Sequence, residues 1–210
     1  MSSVVLIDYG SGNLPSAAKA LAVAAGDPAR VIVSDDPAVV ARADRIVLPG
    51  VGAFAACMGA LRERDGLVEA MNEAVRSRGA PFLGICVGMQ LLATRGLEFA
   101  VTQGLDWIGG EVRLLTPSDD SFKIPHMGWN ALSGSAHPLL AGLPDQPHMY
   151  FTHSYAFYPE DPSTVVASTD HGGTFAAVVA RSNVAGVQFH PEKSQANGLK
   201  LLTNFLEWKP

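Results

Sequence analysis

Two cysteines, six histidines and several glycine-rich turns are the groups in this 210-residue chain from which chemistry could be built. Cys86 sits in Pro81-Phe-Leu-Gly-Ile-Cys-Val-Gly-Met-Gln-Leu-Leu92, a G-x-C-x-G segment between an apolar run and a helical one. This is the cysteine form of a nucleophile elbow, in which a sharp strand-to-helix turn lifts the reactive atom above a sheet edge. Gly84 and Gly88 are expected where neighbouring backbone passes too close for a Cβ. A helix N-terminus beyond Cys86 favours the thiolate. The Val87 N–H would point into the same space and stabilise an oxyanion. Cys57 has no such surroundings and is expected to be a buried structural thiol.

A thiol nucleophile needs a base and a group to hold that base. In Gly186-Val-Gln-Phe-His-Pro-Glu192, Pro191 biases His190 toward extended backbone. Side chains two apart then face one way, so Glu192 can reach the imidazole. Cys86, His190 and Glu192 make a Cys-His-carboxylate set suited to cleaving an amide. A strand-end His before Pro is often structural when it stands alone; the elbow and the neighbouring carboxylate are what favour catalysis here. His137, His148 and His171 lie in turn-like segments without partners and are expected to be solvated.

Leu48-Pro-Gly-Val-Gly-Ala-Phe-Ala55 follows a strand and precedes a helix. Gly50, Gly52 and Ala55 fit a dinucleotide fingerprint, but that site needs an acidic residue ending a second strand about 20 positions on. Glu69 and Glu73 fall on a predicted helix instead, and Pro15 spoils the same pattern after Gly10-Ser-Gly12. A glycine loop offering a second oxyanion N–H, from Val51 or Gly52, suits residues 50–52 better; a purely structural turn remains the alternative. Gln90 lies one helical turn beyond Cys86, where its amide either reads a substrate amide or stands idle on the helix. Pro125-His-Met-Gly-Trp-Asn130 and Tyr150-Phe-Thr-His-Ser-Tyr155 are rich in polar and aromatic pairs, which core filling explains as readily as function.

These groups need a scaffold to bring them together. Val4–Ile7, 31–33, Arg45–Leu48 and Phe82–Ile85 read as short apolar strands, with helices after Asn13 and over 67–78. Asn13 is a plausible N-cap with Pro15 close behind. This β-α-β rhythm predicts an α/β fold with a mainly parallel central sheet flanked by helices. From about residue 110, β-like runs at 111–115, 148–152, 164–168, 176–180 and 185–188 lie between Gly/Pro/Asp turns and are expected to add antiparallel strands. A helix near 196–208 closes the chain. No repeat or linker divides it, so a single domain over 1–210 is expected.

Composition narrows the classes. The formal charge of −5, without a basic face, argues against nucleic acid. The uncharged stretches 46–61 and 79–94 are too short and too broken by Pro and Gly to cross a membrane. No basic, apolar leader precedes Asp8 and no zinc spacing exists, so a reducing, cytoplasmic setting is expected.

Taken together, these motifs resemble the class I (triad) glutamine amidotransferases. Gly84–Leu92 is similar to their nucleophile segment, Pro49-Gly-Val-Gly-Ala-Phe54 to their oxyanion loop, and His190-Pro-Glu192 to their His-Glu pair. The likeness runs from Asp8-Tyr-Gly10 to the last helix. Asp8-Tyr-Gly-Ser-Gly-Asn-Leu14, Pro125-His-Met-Gly-Trp-Asn130, His153-Ser-Tyr155 and His190-Pro-Glu-Lys-Ser194 are more selective. They resemble one branch, the glutaminase subunits that serve a cyclase in histidine biosynthesis.

The resemblance implies hydrolysis of L-glutamine to glutamate and ammonia through a Cys86 thioester. The ammonia would pass to a (β/α)₈-barrel cyclase subunit, bound as a heterodimer, that makes imidazole glycerol phosphate. It further implies that Gln90, His153, Ser154 and Tyr155 hold glutamine, and that Pro125, Met127, Trp129, Asn130 and Lys193 face the cyclase. No cofactor and no metal are implied. The chain departs from the family at Thr94-Arg-Gly-Leu-Glu-Phe99 and at Ala156-Phe157, which leaves the triad untouched. A glutaminase feeding pyridoxal phosphate, anthranilate or guanylate synthesis would carry other partner segments than Pro125–Asn130. A non-catalytic subunit would have no need of an intact Cys86, His190 and Glu192.

Overall fold

The computed structural model describes residues 3–134 and 136–210. Strands β1 (Val4–Ile7), β2 (Val31–Ser34), β3 (Arg45–Leu48) and β4 (Phe82–Ile85) alternate with helices α1 (Leu14–Ala25), α2 (Pro37–Ala41), α3 (Phe54–Arg62) and α4 (Leu67–Asn72). The expected helix over 67–78 is α4 prolonged by a π-helical turn, Glu73–Ser77. Asn13 stands at the N-cap of α1 but its side chain makes no capping bond, so Pro15 in the first turn is the surviving start signal.

Helix α5 (Val87–Gln90) follows β4 directly. Ten strands and a helix come after it: β5 (Arg95–Gly96), β6 (Thr102–Gln103), β7 (Gly110–Leu114), β8 (His126–Ala131), β9 (Ser133–Gly134), β10 (His148–His153), β11 (Tyr155–Pro159), β12 (Val165–Asp170), β13 (Thr174–Arg181), β14 (Val184–Val187) and α6 (Gln195–Glu207).

The main sheet runs β2-β1-β3-β4-β14-β13-β12-β9. Its first five strands are mutually parallel and the remaining three antiparallel. Every residue of β1, β3, β4 and β14 is buried, as parallel strands covered on both faces require. One group of helices packs α1 against α6, another packs α2 and α3 against α4.

The structure corrects the expected C-terminal half in two ways. The run at 185–188 becomes β14, which pairs parallel with β4 rather than adding an antiparallel strand. The runs at 111–115 and 148–152 leave the main sheet altogether. They form part of a four-stranded sheet, β11-β7-β5-β6, and a two-stranded one, β10-β8. Strand β8 was not legible as a strand because Pro125 and Gly128 read as turn residues; its pairing with β10 from His148↔Ala131 to His153↔His126 imposes the extended form.

Neighbouring parallel strands end on the same side. The carboxyl ends of β3, β4 and β14 therefore present the 49–52 loop, Cys86 and the 188–192 segment together, where α/β sheets form their clefts.

Candidate active site

Cys86 is the hinge between β4 and α5, with φ +55° and ψ −113°. A residue with a Cβ pays roughly 1–3 kcal/mol to sit there and does so only when its surroundings hold it. They do: its N–H donates to the Val187 carbonyl at 2.8 Å, and a Cβ on Gly84 or Gly88 would run into the backbone of Gly88 or Leu48. The elbow is thus formed as expected, with the nucleophile buried to 4% exposure at the floor of a cleft of about 430 Å³. The expected helix dipole is weaker than foreseen, because α5 is only four residues long.

His190 is pinned on both backbone groups. Its N–H donates to the Tyr150 carbonyl at 2.9 Å, and its own carbonyl accepts from Ser194 Oγ at 2.6 Å. Nδ1 lies 2.8 Å from Glu192 Oε1, each side chain being 3% exposed. A carboxylate accepts, so Nδ1 carries the proton and Nε2 is left for the thiol. Nε2 and Glu192 Oε2 are buried and make no hydrogen bond in this conformation. Burial opposes charge on His190, yet the Cys86 thiol and the Glu192 carboxylate outweigh it and push the imidazole up to about 9. That favours the charged form of the imidazole.

Val51, Gly52, Val87, Gln90, His153, Ser154, Tyr155 and Lys193 all line the same cleft as Cys86 and His190. Three of them are already engaged. The Val87 N–H, expected to be free for an oxyanion, donates to the Gly50 carbonyl at 3.3 Å. The Val51 N–H donates to Ser11 Oγ, also at 3.3 Å, while Gly52 turns through φ +98°. Gln90, expected to offer its amide to substrate, directs Nε2 to the Tyr155 carbonyl (2.9 Å) and to Gln188 Oε1 (3.0 Å), leaving only Oε1 for a ligand.

Among the expected partner contacts, β8 sorts the residues by pleat. Met127 and Trp129 point outward at 63% and 46% exposure. Asn130, on the opposite face, turns inward instead: Nδ2 donates to the Asp170 carbonyl at 2.7 Å and lies 3.2 Å from His126 Nε2. Pro125 and Lys193 are exposed. Trp129 meets the Tyr150 ring edge-on at 5.9 Å and Lys193 Nζ lies 5.8 Å from that ring, so the outer face of β8 reaches the cleft rim through one tyrosine.

Sequence reasoning missed several groups. Gln188 is fully buried between Gln90 and Cys86; its place two residues before His190 was the available signal. Glu98 and Phe99 also line the cleft. Glu98 Oε2 accepts from the Phe54 N–H at 2.7 Å at the start of α3, and Phe99 stands 94% exposed on the rim with φ +58°. His171, expected to be solvated, stacks on buried His126 at 4.2 Å and bonds the Lys123 carbonyl at 2.8 Å. His137 accepts from the Leu139 N–H at 3.2 Å. Burial holds His126 down to about 4, helped by His171, and holds His153 down to about 3 against its bond to the Tyr155 carbonyl. Cys57 is buried as expected, and burial pushes its thiol up. Among the described residues, no group of three His, Cys, Asp or Glu side chains is placed to hold a metal, and no helix is long and apolar enough to cross a membrane.

The family model for "Glutamine amidotransferase class-I" matches residues 5–208. "Imidazole glycerol phosphate synthase subunit HisH" of Caulobacter vibrioides is 60% identical over all of both chains. The chain belongs to the class-I glutamine amidotransferases, in their HisH branch. The HisH of Rhodospirillum rubrum is 56% identical over 99% of each chain. Solved structures bear on the fold alone. A glutamine amidotransferase superposes with a TM-score of 0.74 at 18% identity, covering 98% of both chains. The PurLQS structure from Thermotoga maritima gives a TM-score of 0.71 at 20% identity over 98% of each chain. The amidotransferase sheet is therefore held in common by sequences that share about one residue in five, whereas the HisH likeness extends along the whole chain.

Proposed function

We propose that this chain hydrolyses L-glutamine to glutamate and ammonia, and passes the ammonia to a (β/α)₈-barrel cyclase subunit of imidazole glycerol phosphate synthase. The observation that carries this reading is Cys86, held at φ +55° on the cleft floor beside an imidazole whose Nδ1 meets a buried carboxylate at 2.8 Å.

Cys86 Sγ attacks the side-chain amide carbon of glutamine. His190 delivers its proton to the departing nitrogen, and ammonia leaves a thioester on Cys86. Water then adds to the thioester, with His190 Nε2 taking its proton and returning it to the thiol as glutamate departs. Glu192 keeps the imidazole oriented through both steps. Val87 supplies an oxyanion donor only once its N–H leaves the Gly50 carbonyl, with Val51 or Gly52 supplying the second. His153, Ser154 and Tyr155 form the wall that grips the amino acid, and Gln90 contributes Oε1.

Met127 and Trp129 support the partner assignment, since large apolar side chains rarely stand outward on a polar strand without a surface to meet. The cyclase then covers the side of the cleft formed by β8, Tyr150 and Lys193. The test measures glutamate released from glutamine by the purified chain, alone and with the cyclase subunit. Wild type should release glutamate and respond to the cyclase, and Cys86→Ala should fall below about a hundredth of wild type. A Cys86→Ala protein that stays above that level would overturn the assignment.

A further inference from the structure

A continuous line of hydrogen bonds that the triad does not use joins strand β8 to the cleft. His126 and His153 face one another across β8 and β10, with His126 Nδ1 3.1 Å from His153 Nε2 and both rings buried. His153 Nδ1 lies 2.9 Å from the Tyr155 carbonyl. A carbonyl only accepts, so His153 carries its proton on Nδ1 and, as a neutral ring, accepts at Nε2. His126 must then donate from Nδ1 and accept at Nε2.

The far end requires the same arrangement. Asn130 Nδ2 stands 3.2 Å from His126 Nε2. The Asn130 amide cannot be turned round, because Nδ2 also donates to the Asp170 carbonyl at 2.7 Å and Oδ1 accepts from the Ala131 N–H at 2.8 Å. One proton arrangement satisfies every member, and a second proton on either ring would set two donors against each other. From the Tyr155 carbonyl the line continues through Gln90 Nε2 and Gln188 Oε1, and Gln188 Nε2 ends 3.8 Å from Cys86 Sγ.

We infer that His126 is a positioning residue for the amide-binding cleft: it transmits the placement of strand β8 to His153 and, through the Tyr155 carbonyl, to Gln90. This rests on the cleft being the glutamine site. His126 touches no substrate and acts through His153. Because β8 presents Met127 and Trp129 outward and His126 and Asn130 inward, any shift of the outer face moves the inner one.

The competing role for His126 is packing. Its ring stacks on His171 at 4.2 Å and on Phe151 at 4.9 Å, contacts that a phenyl ring would also make. His126→Phe therefore keeps the packing and cuts the line, while His126→Asn restores an N–H donor where Nδ1 stood. With wild-type glutaminase as reference, His126→Phe should raise KM for glutamine about fivefold or more, the size expected for one lost buried hydrogen bond, with a smaller change in kcat. Alkylation of Cys86 by iodoacetamide should be unchanged, and His126→Asn should recover most of the lost affinity. Equal KM for His126→Phe and wild type, or no recovery in His126→Asn, would overturn the inference.

If His126→Phe does not fold, the wild-type protein still decides. Nitrogen-15 spectra of its imidazoles should find His126 and His153 both protonated on Nδ1, and an Nε2 proton on either neutral ring refutes the line. A wild type that is inert toward glutamine even with the cyclase would defeat the functional reading instead, and would leave the tautomers readable.

Discussion

Replacing Glu192 by Gln removes one charge and disturbs little else. The Gln carbonyl can still accept from His190 Nδ1, so the ring keeps its orientation and tautomer. What is lost is the charged character of a 2.8 Å contact between side chains that are each 3% exposed. A hydrogen bond to a charged group contributes about 1.5–3 kcal/mol and a neutral one about 1 kcal/mol, so the variant should lose about 0.5–2 kcal/mol of imidazolium stabilisation. Expressed as transition-state energy, that is about two- to thirtyfold in kcat/KM. The alkaline limb of the pH profile should move as well. His190 is pushed up to about 9 although burial opposes its charge, and Glu192 is one of the two groups that hold it there. Without that carboxylate, the proton needed by the leaving ammonia is lost at lower pH. Folding follows the same sign. A raised histidine contributes its stability in full below about 6.5 and loses it as pH rises through about 9, so Glu192→Gln should flatten stability across that window. The assay is glutamate release at saturating cyclase across pH, with urea midpoints on the same samples. A kcat/KM within about twofold of wild type and an unmoved alkaline limb would show that Glu192 does not hold the imidazolium.

Gly88→Ala should destabilise by about 3 kcal/mol or more, since its Cβ meets the Leu48 backbone; the urea midpoint would report it at unchanged slope. Cys57→Ala should leave glutaminase turnover intact, and a thiol-reactive glutamine analogue should label Cys86 alone, as mass spectrometry of the digested protein would reveal. The depressed His126 and His153 predict stability that is complete above about pH 6.5 and falls as pH drops toward about 4 for His126 and about 3 for His153, because the unfolded chain takes up those protons first. A flat unfolding profile through that window would exclude a buried neutral pair. Trp129→Ala and Lys193→Ala should preserve folding and Cys86 labelling while lowering cyclase stimulation or the ratio of cyclase product to glutamate; wild-type values for both would put the docking face elsewhere.

The sequence by itself carried the elements whose signals are local. A Cys between two glycines at a strand–helix junction, a His held extended by Pro191 and the carboxylate two positions on are short-range facts, and the structure brings the three together. The parallel half of the sheet was legible for the same reason, since β1, β3 and β4 are apolar runs buried on both faces. The tertiary structure decided what depends on distant partners. Whether residues 185–188 run parallel or antiparallel depends on β4, about a hundred positions away, and no local pattern encodes that choice. Strand β8 exists because β10 pairs with it, in spite of its glycine. The backbone amides of Val51 and Val87 illustrate the same limit: the sequence places them near Cys86, but which acceptor each one meets is settled by the path of the 49–52 loop. His126 is the clearest case. On its own strand it is one polar residue among several, and only the packing of β8 on β10 sets its ring against His153, where a single proton arrangement satisfies them both.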